Sequence, residues 1–356
     1  MSRLALIMAG GTGGHIFPGI AVAQELKRRG WDIVWLGTPG SMEAELVPKH
    51  GFRFEAIAAR ALRGKGVVNF MLMPLNLLRS FWQSLRILRR LKPDVAVGLG
   101  GYVAFPAGLM TVPVGVPLVV HEQNAIAGLT NRVLAGIADR VFTAFPNVFI
   151  KGVWSGNPLR GGFDQVAAPK ERYALRTGRL RILVVGGSLG ARALNEVVPD
   201  AIALLPAERR PLVLHQSGNP HIEALRNRYA HHNIEADCVP FIDDMQSAYA
   251  QADLVICRAG AMTISELAAV GVAAVLVPFP HAVDDHQTAN ARFLSDKGAA
   301  VLMPQSTLSA QSLSQWLLEQ QRSGLLQMAE NARHLAKPGA AQQLAAACEA
   351  LTVKKA

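Results

Sequence analysis

Aromatic side chains make up only 6% of this 356-residue chain and charged ones 17%, while half of it is hydrophobic. That balance excludes a disordered polymer and calls for large cores. The length allows two domains of ordinary size. The three cysteines, Cys238, Cys257 and Cys348, are odd in number and widely spaced. Neither a disulfide framework nor a cysteine metal site is expected from them, and a reduced, cytoplasmic setting fits. The apolar run Leu4–Ala9 is shorter than the roughly 7–15 residues of a secretory signal. The uncharged stretch Gly66–Leu78 falls short of the about 20 residues that span a bilayer.

Several nucleotide motifs are also missing. The dinucleotide fingerprint G-x-G-x-x-G fails: counted from Gly11 its third glycine falls on Ile16, and from Gly98 on Val103. No acidic residue closes the run Ile33–Leu36, where a ribose-binding carboxylate would stand. The P-loop pattern is absent, which disfavours an ATPase of that class. So is D-x-D, one device for holding a metal on a nucleotide sugar. Transfer from such a donor would rest on protein groups that stabilise the leaving diphosphate. No cofactor and no metal is expected.

Acidic residues are scarce in one half only. Residues 1–160 hold 18 Lys and Arg against 8 Asp and Glu, so the whole net charge of +10 lies there. Such asymmetry points to an anionic partner: nucleic acid, an anionic membrane or a phosphorylated substrate. A nucleic-acid surface would interleave stacking aromatics with its cations. Here Phe70, Phe81 and Trp82 are embedded among aliphatics, and no nucleic-acid partner is expected.

What is present is a repeated arrangement. Leu4–Ala9 runs into Gly10-Gly11-Thr12-Gly13-Gly14-His15, and Arg181–Val185 runs into Gly186-Gly187-Ser188-Leu189-Gly190. Each is a strand-like run, a glycine turn and then a helical pattern. Further apolar runs, Ile33–Leu36, Val95–Val97, Leu118–Val120, Leu254–Ile256 and Ala274–Val277, alternate with helical stretches. Continuous apolar strands spaced by helices predict parallel sheets covered on both faces. Two doubly wound α/β units follow, with a boundary between Gly156-Asn157-Pro158 and Gly161-Gly162. Ligands of such sheets bind beyond the carboxyl ends of the strands, where both glycine turns fall. A cleft between the domains would bring the turns face to face.

Four glycines let another group approach the backbone of the first turn, and a helix start offers N–H groups to phosphate. His15 adds a titratable side chain there. In the second half Cys257-Arg258-Ala259-Gly260 leads into a helix whose start, with Thr263 and Ser265, suits a diphosphate. Glu266, one turn in, is placed to pair with ribose hydroxyls or simply to favour the helix dipole. The segment His281–His286 fits no common zinc spacing and reads as a sugar-binding loop. His231-His232 lies in a polar stretch and reads as solvated surface.

Residues 64–92 have two readings. Leu75, Leu78, Trp82, Leu85 and Leu88 follow at helical spacing, with Arg60, Arg63, Lys65, Arg79, Arg86, Arg89, Arg90 and Lys92 around them. Apolar surface with flanking cations is the pattern of an interfacial membrane element. The same pattern serves a core helix with a solvated basic face.

Taken in order, Gly10–His15, His121-Glu122-Gln123-Asn124, Gly156-Asn157-Pro158-Leu159-Arg160, Gly186–Ala191, Phe241-Ile242-Asp243-Asp244-Met245, Arg258–Ala261 and Asp284–Asn290 resemble the MurG family. Its members are the peptidoglycan glycosyltransferases that add N-acetylglucosamine to lipid I. The likeness runs from the first strand to about residue 340. It implies a GT-B fold of two Rossmann-like doubly wound parallel-sheet domains facing a deep cleft. Residues 1–160 would be the acceptor and membrane-associating domain and 161–338 the donor domain. Residues 339–356 would be a helix returning to the first domain. The implied reaction moves N-acetylglucosamine from UDP to the C4 hydroxyl of the muramyl sugar, inverting an α-linked donor into β-1,4-linked lipid II. The alternative in the same fold is a UDP-sugar isomerase or epimerase, which would need acid/base carboxylates and no lipid-facing surface.

By resemblance, Thr12, Gly13, Gly14, Asn124, Arg160, Ser188, Ile242, Ala261, Met262, Thr263, Ile264, Ser265, Glu266 and Gln287 contact the donor. His15 is the candidate base, with diphosphate binding or capping of the turn as its other roles. Glu122 is the second candidate base, or a partner for a nearby arginine. Gly10, Gly11, Gly13 and Gly14 are expected at the acceptor diphosphate. Val67, Val68, Phe70, Met71, Leu72, Leu75, Arg79 and Trp82 are expected at the membrane. The family implies a peripheral protein on the cytoplasmic face of the bacterial inner membrane. Its partners would be UDP-N-acetylglucosamine, lipid I, an anionic membrane surface and other cell-wall synthesis and division proteins.

Overall fold

The computed structural model describes residues 2–59, 73–187 and 190–353. The chain divides into two compact units, residues 1–161 with 337–356, and residues 162–336.

In the first unit seven strands form one parallel sheet: β1 (Leu4–Ala9), β2 (Asp32–Gly37), β3 (Arg53–Ala56), β4 (Val95–Gly100), β5 (Leu118–Glu122), β6 (Arg140–Thr143) and β7 (Val153–Trp154). Their order is β3-β2-β1-β4-β5-β6-β7, so the winding reverses between β1 and β4. The crossovers carry α1 (Gly13–Arg28), α2 (Met42–Lys49), α3 (Met73–Leu91), α4 (Ala104–Val114) and α5 (Leu129–Ala135). Strand alternation divides the core. Ala5, Ile7 and Ala9 face Ile16, Ile20 and Leu26 of α1. Leu6 and Met8 face Leu88 of α3 and Ala104 and Ala107 of α4. The C-terminal helix (Ala340–Val353) lays Leu344, Ala345 and Cys348 on the α1 side. Arg29 of α1 pairs with its Glu349 at 2.7 Å.

Of the two readings of the stripe Leu75, Leu78, Trp82, Leu85 and Leu88, helix α3 buries Leu88 and leaves the first three outward. Ser80, Ser84, Ile87 and Leu88 face inward, whereas Leu75, Leu78 and Trp82 are each more than 60% exposed. The reason is polar tethering in the middle of the helix. Ser80 Oγ donates to the carbonyl of Ala58, and the amide N–H of Ala58 donates to Gln83 Oε1 at 2.8 Å. These bonds turn the serine face toward the segment after β3 and the leucines outward.

The second unit has a six-stranded parallel sheet: β8 (Arg181–Val185), β9 (Leu212–Gln216), β10 (Asp237–Val239), β11 (Leu254–Cys257), β12 (Ala273–Leu276) and β13 (Val301–Leu302). The order is β10-β9-β8-β11-β12-β13, the Rossmann winding repeated. Its helices are α6 (Pro169–Ala174), α7 (Arg192–Ala203), α8 (Ile222–His231), α9 (Met245–Gln251), α10 (Ala261–Val270), α11 (His286–Ser295), α12 (Ala310–Glu319) and α13 (Arg322–His334). The expected pair of doubly wound parallel sheets is therefore what the chain forms. One reading fails here: His232 is not simply solvated, since its ring bonds Asp200 at 2.9 Å beside Arg228.

Both units close the amino edge of the sheet with the same device. Asp94, just before β4, accepts the N–H of Leu4 at the start of β1. Asp253, just before β11, accepts the N–H of Arg181 at the start of β8. Asp253 is fully buried and also pairs with Arg176 at 2.8 Å. Removing one partner of a buried pair strands the other charge. Asp253→Ala is therefore expected to lower the unfolding free energy by about 3–5 kcal/mol, read from urea denaturation. An unshifted midpoint would show that the pair carries no stability.

Two buried histidines tie strand ends to distant segments. His121 of β5 meets the carbonyl of Gly156 at 3.0 Å and the amide of Gln123 at 3.1 Å. His215 of β9 lies between Tyr229 and Asn195, at 3.0 and 3.1 Å. Burial pulls His121 down to about 4, against the bond to Gly156, and His215 down to about 3. The unfolded chain protonates near pH 6.5. Their stabilising effect is full above that pH and is lost as pH falls toward the native values, by up to about 1.4 kcal/mol per pH unit for each. Unfolding free energy measured from pH 7 to 4.5 should fall less steeply in His121→Gln, by about one proton's slope. Identical slopes would remove His121 from the acid response.

Candidate active site

The first glycine turn is built from close backbone contacts. The register between β1 and β4 shifts at Met8/Ala9, so Met8 pairs with Gly98 and Ala9 with Gly100. The indole N–H of Trp35 donates to the carbonyl of Ala9 at 2.9 Å, satisfying backbone at this irregularity. Beyond it, a Cβ on Gly101 would stand 2.3 Å from the carbonyl oxygen of Gly10, and one on Gly100 would stand 2.9 Å from His15 Nε2. Only glycine fits at either place, and both have φ near +90°. The imidazole of His15 therefore lies against bare backbone at the end of β4.

Helix α1 starts here without a side-chain cap, because Thr12 makes no capping bond. The Thr12 hydroxyl instead stands 3.5 Å from His15 Nδ1. A helix start leaves N–H groups for an anion. Thr12 and Gly14 are exposed, and Gly13 and His15 half-buried. One turn on, the guanidinium of Arg160 stacks over Phe17 at 4.8 Å, so this arginine belongs beside the turn.

Glu43 was not foreseen. It is buried, and its carboxylate accepts the N–H groups of Gly11 at 3.3 Å and Thr38 at 3.2 Å. A Cβ on Gly10 would lie 2.6 Å from it. In sequence Glu43 is only a first-turn acid of α2, and its partner is 32 residues away.

Glu122, at the end of β5, is also buried. One carboxylate oxygen accepts the N–H of Asn124 at 2.9 Å and the other accepts Asn131 Nδ2 at 2.8 Å and the N–H of Gly128 at 3.2 Å. Among the described residues its partners are amides, and no arginine pairs with it. These bonds order the segment 122–131 and use both oxygens. Asn124, half-buried, is held by the same carboxylate.

In the second unit the site residues gather at the carboxyl ends of β8, β10, β11 and β12. At β8, Gly190 has φ +75°, and a Cβ there would stand 1.7 Å from the carbonyl oxygen of Ser217. Ser217 is held by Asn195, and the carbonyl of Gly187 accepts Gln216 Nε2 at 3.0 Å. Ser188 lies outside the described residues. Ile242 is half-buried just after β10. After β11, Arg258 bonds the carbonyls of Val277 and Pro278 at 3.1 Å and Gln305 at 2.7 Å, and stacks on Phe279. Burial lowers the pKa of this guanidinium. Arg258 thus braces the loop after β12.

Helix α10 starts at Ala261 without a side-chain cap. Met262, Thr263 and Ser265 are half-buried, Ala261 and Ile264 are buried, and the side chain of Ile264 belongs to the core. Any donor contact of Ile264 is confined to its backbone. The Ser265 hydroxyl donates to the carbonyl of Ala261 at 3.0 Å. Glu266 is nearly buried and accepts the Tyr249 hydroxyl at 3.3 Å. Gln287 accepts the N–H of Phe279 at 2.9 Å. Asp284 and Asp285 hold positive φ, so the turn into α11 is strained. Among the described residues no cluster of three His, Cys, Asp or Glu is arranged to hold a metal ion.

The expected membrane residues Val67, Val68, Phe70, Met71 and Leu72 lie outside the described residues. Leu75, Arg79 and Trp82 are exposed on α3, and Arg86 stacks over Trp82 at 5.6 Å.

Comparison with known proteins places this geometry. The glycosyltransferase family 28 N-terminal domain matches residues 5–143 and the C-terminal domain of that family matches residues 181–347. The chain is 61% identical over 350 residues to the UDP-N-acetylglucosamine–N-acetylmuramyl-(pentapeptide) pyrophosphoryl-undecaprenol N-acetylglucosamine transferase of Paracidovorax citrulli, covering 98% of this chain and 99% of that one. It is 59% identical to the transferase of the same name from Paraburkholderia xenovorans, covering 97% and 94%. The crystal structure of Acinetobacter baumannii MurG is 41% identical, with a TM-score of 0.85 and coverage of 98% and 99%. With both domains matched and full-length relatives at this identity, the chain belongs to glycosyltransferase family 28, among its MurG glycosyltransferases.

Proposed function

We propose that this chain transfers N-acetylglucosamine from UDP-N-acetylglucosamine to the C4 hydroxyl of the muramyl sugar of lipid I, forming lipid II. The observation that carries the reading is the 61% identity to a curated transferase of that name over nearly the whole of both chains. Two glycine turns at the carboxyl edges of two Rossmann sheets support it.

The reaction is a single displacement. The acceptor oxygen attacks the anomeric carbon as the bond to the β-phosphate breaks, and the electron pair leaves with UDP. The hydroxyl proton passes to His15. An imidazole can take up and release a proton near neutral pH, which suits that transfer. His15 is half-buried, and its ring lies against Gly100, which brings no side chain there. Glu122, with both oxygens engaged, acts as a positioning residue that orders Asn124. Gly10, Gly13 and Gly14 take the acceptor diphosphate on backbone N–H groups, and Gly11, whose N–H is held by Glu43, leaves room for it by lacking a side chain.

The second unit takes the donor. The uncapped start of α10, with Thr263 and Ser265, receives the departing diphosphate. Glu266 pairs with the ribose hydroxyls, oriented by Tyr249. The backbone of Ile242 reads the uracil, and Gln287 meets the sugar. Thr12, Gly13, Gly14, Asn124, Arg160 and Ser188 keep the donor roles that the resemblance implies.

Residues 1–160 also carry the membrane contact, placing the protein on the cytoplasmic face of the inner membrane. No helix among the described residues is long and apolar enough to cross a membrane. The exposed Leu75, Leu78 and Trp82 with Arg79 and Arg86 beside them support a peripheral attachment.

Purified protein should release UDP from UDP-N-acetylglucosamine only when a lipid-diphosphate muramyl acceptor is supplied. Donor turnover without acceptor would favour an isomerase instead. His15→Ala should lower kcat by about 10²–10⁴ and remove the acidic limb of the pH profile, with donor KM little changed. Glu266→Ala should act mainly on donor KM. A wild-type rate in His15→Ala would return the base role to another group. In a separate assay, Leu75→Ser with Trp82→Ser should weaken sedimentation with anionic vesicles at least fivefold while turnover on a soluble acceptor analogue persists. Unchanged sedimentation would move the membrane contact elsewhere.

A further inference from the structure

We propose that the amino-terminal edge of the first sheet holds a second anion site, built for the phosphate groups of a ligand distinct from either substrate. A cavity of 810 Å³ opens there, at the starts of β1, β2 and β3 and the end of α3. That volume is in the range of small-molecule sites and exceeds what one phosphate needs. It faces away from the glycine turn. The six residues of β1 separate the two by about 17 Å.

Four cations line the cavity: Arg3, Lys27, Arg53 and Lys92. Arg53 is paired with Glu55 at 2.9 Å. Arg3, Lys27 and Lys92 have no carboxylate partner among the described residues. Two carboxylates share the lining, and both are engaged: Asp94 accepts the N–H of Leu4, and Asp32 accepts the Ser2 hydroxyl. The formal balance of the lining is therefore positive, with three side chains left to meet an anion.

Two of these cations are held in place before any ligand arrives. Arg3 stands over the ring of Trp31 at 5.6 Å, and Lys27 over that of Phe52 at 5.4 Å. Both rings are buried. A ring beneath a cation fixes the stem while the charged head stays in water. Lys92 holds φ at +47°, a conformation that a non-glycine residue rarely adopts, directly after α3. The excess charge of residues 1–160 thus has a concave destination apart from the catalytic turn. Two sources share the required chemistry, a soluble polyphosphate and a phospholipid headgroup.

The test compares wild type with the triple variant Arg3→Gln, Lys27→Gln, Lys92→Gln. A charge-matched control carries Arg140→Gln, Lys151→Gln and Arg209→Gln. Calorimetric titration with inorganic pyrophosphate at saturating UDP should show one more equivalent bound by wild type and by the control than by the triple variant. In a second arm, sedimentation with phosphatidylglycerol vesicles should weaken at least tenfold in the triple variant and less in the control. Loss in the first arm identifies a soluble ligand, and loss in the second arm alone identifies a headgroup. Turnover on a soluble acceptor analogue should stay within twofold of wild type, which separates this site from the transferase reading and verifies folding. Lys92→Gln alone, at an exposed side chain, should give at least a threefold loss if the triple variant does not fold. Equal binding by wild type and variants in both arms overturns the proposal.

Discussion

In the first unit the carbonyl of Gly10 occupies the space that any side chain on Gly101 would need, and the site depends on that approach of two bare backbones. It occurs where the winding reverses between β1 and β4, the place at which doubly wound sheets bind ligands. The contact needs a register shift at the end of β1, and the shift is accommodated by the Trp35 indole on Ala9. It also brings Gly100 under the imidazole of His15 and leaves Gly10 facing the carboxylate of Glu43. A single methyl group at Gly101 would separate these elements.

The second unit meets the same geometric problem with different partners. Gly190 approaches the carbonyl of Ser217 even more closely, and the contact is supported from behind by the buried chain Tyr229, His215 and Asn195. A neutral imidazole suits that place, because both its nitrogens are used and no water reaches it. His15 and His215 are thus opposite uses of one side chain. The first is half-buried beside an uncapped helix start, and the second is sealed in a network that burial keeps uncharged.

The acidic residues divide in a similar way. Asp94 and Asp253 close the amino edges of the two sheets, and Glu43 and Glu122 hold backbone N–H groups beside the first turn. These carboxylates are engaged inside the fold by backbone or amide donors, and Asp253 by Arg176 as well. The cations of residues 1–160 are mostly exposed, on α3 and at the amino edge of the sheet. The positive balance of this half is therefore displayed to partners, while much of its negative charge is consumed internally.

Much of this was legible from local pattern. Apolar runs ending in glycine turns determine two parallel sheets and put each turn at a strand end, because strand burial and glycine's backbone freedom are properties of a few neighbouring residues. Strands β3, β6, β7, β9, β10 and β13 escaped that reading, since each is brief or mixes polar residues into its apolar run. For Leu75, Leu78 and Trp82 the spacing left a buried and an exposed reading open, and the outward turn follows from bonds between α3 and Ala58 that no helical spacing encodes. Motif order alone pointed to the family and to His15. Only tertiary structure decided that Glu43 lies behind Gly10, that Glu122 has no free oxygen, and that Arg3, Lys27 and Lys92 share one cavity. The physical reason is that a charge takes its role from its partners. Glu43 takes its partner from 32 residues away once the sheet has fixed its order, and even the amides of Glu122, within nine residues in sequence, reach it only through the fold of the segment after β5.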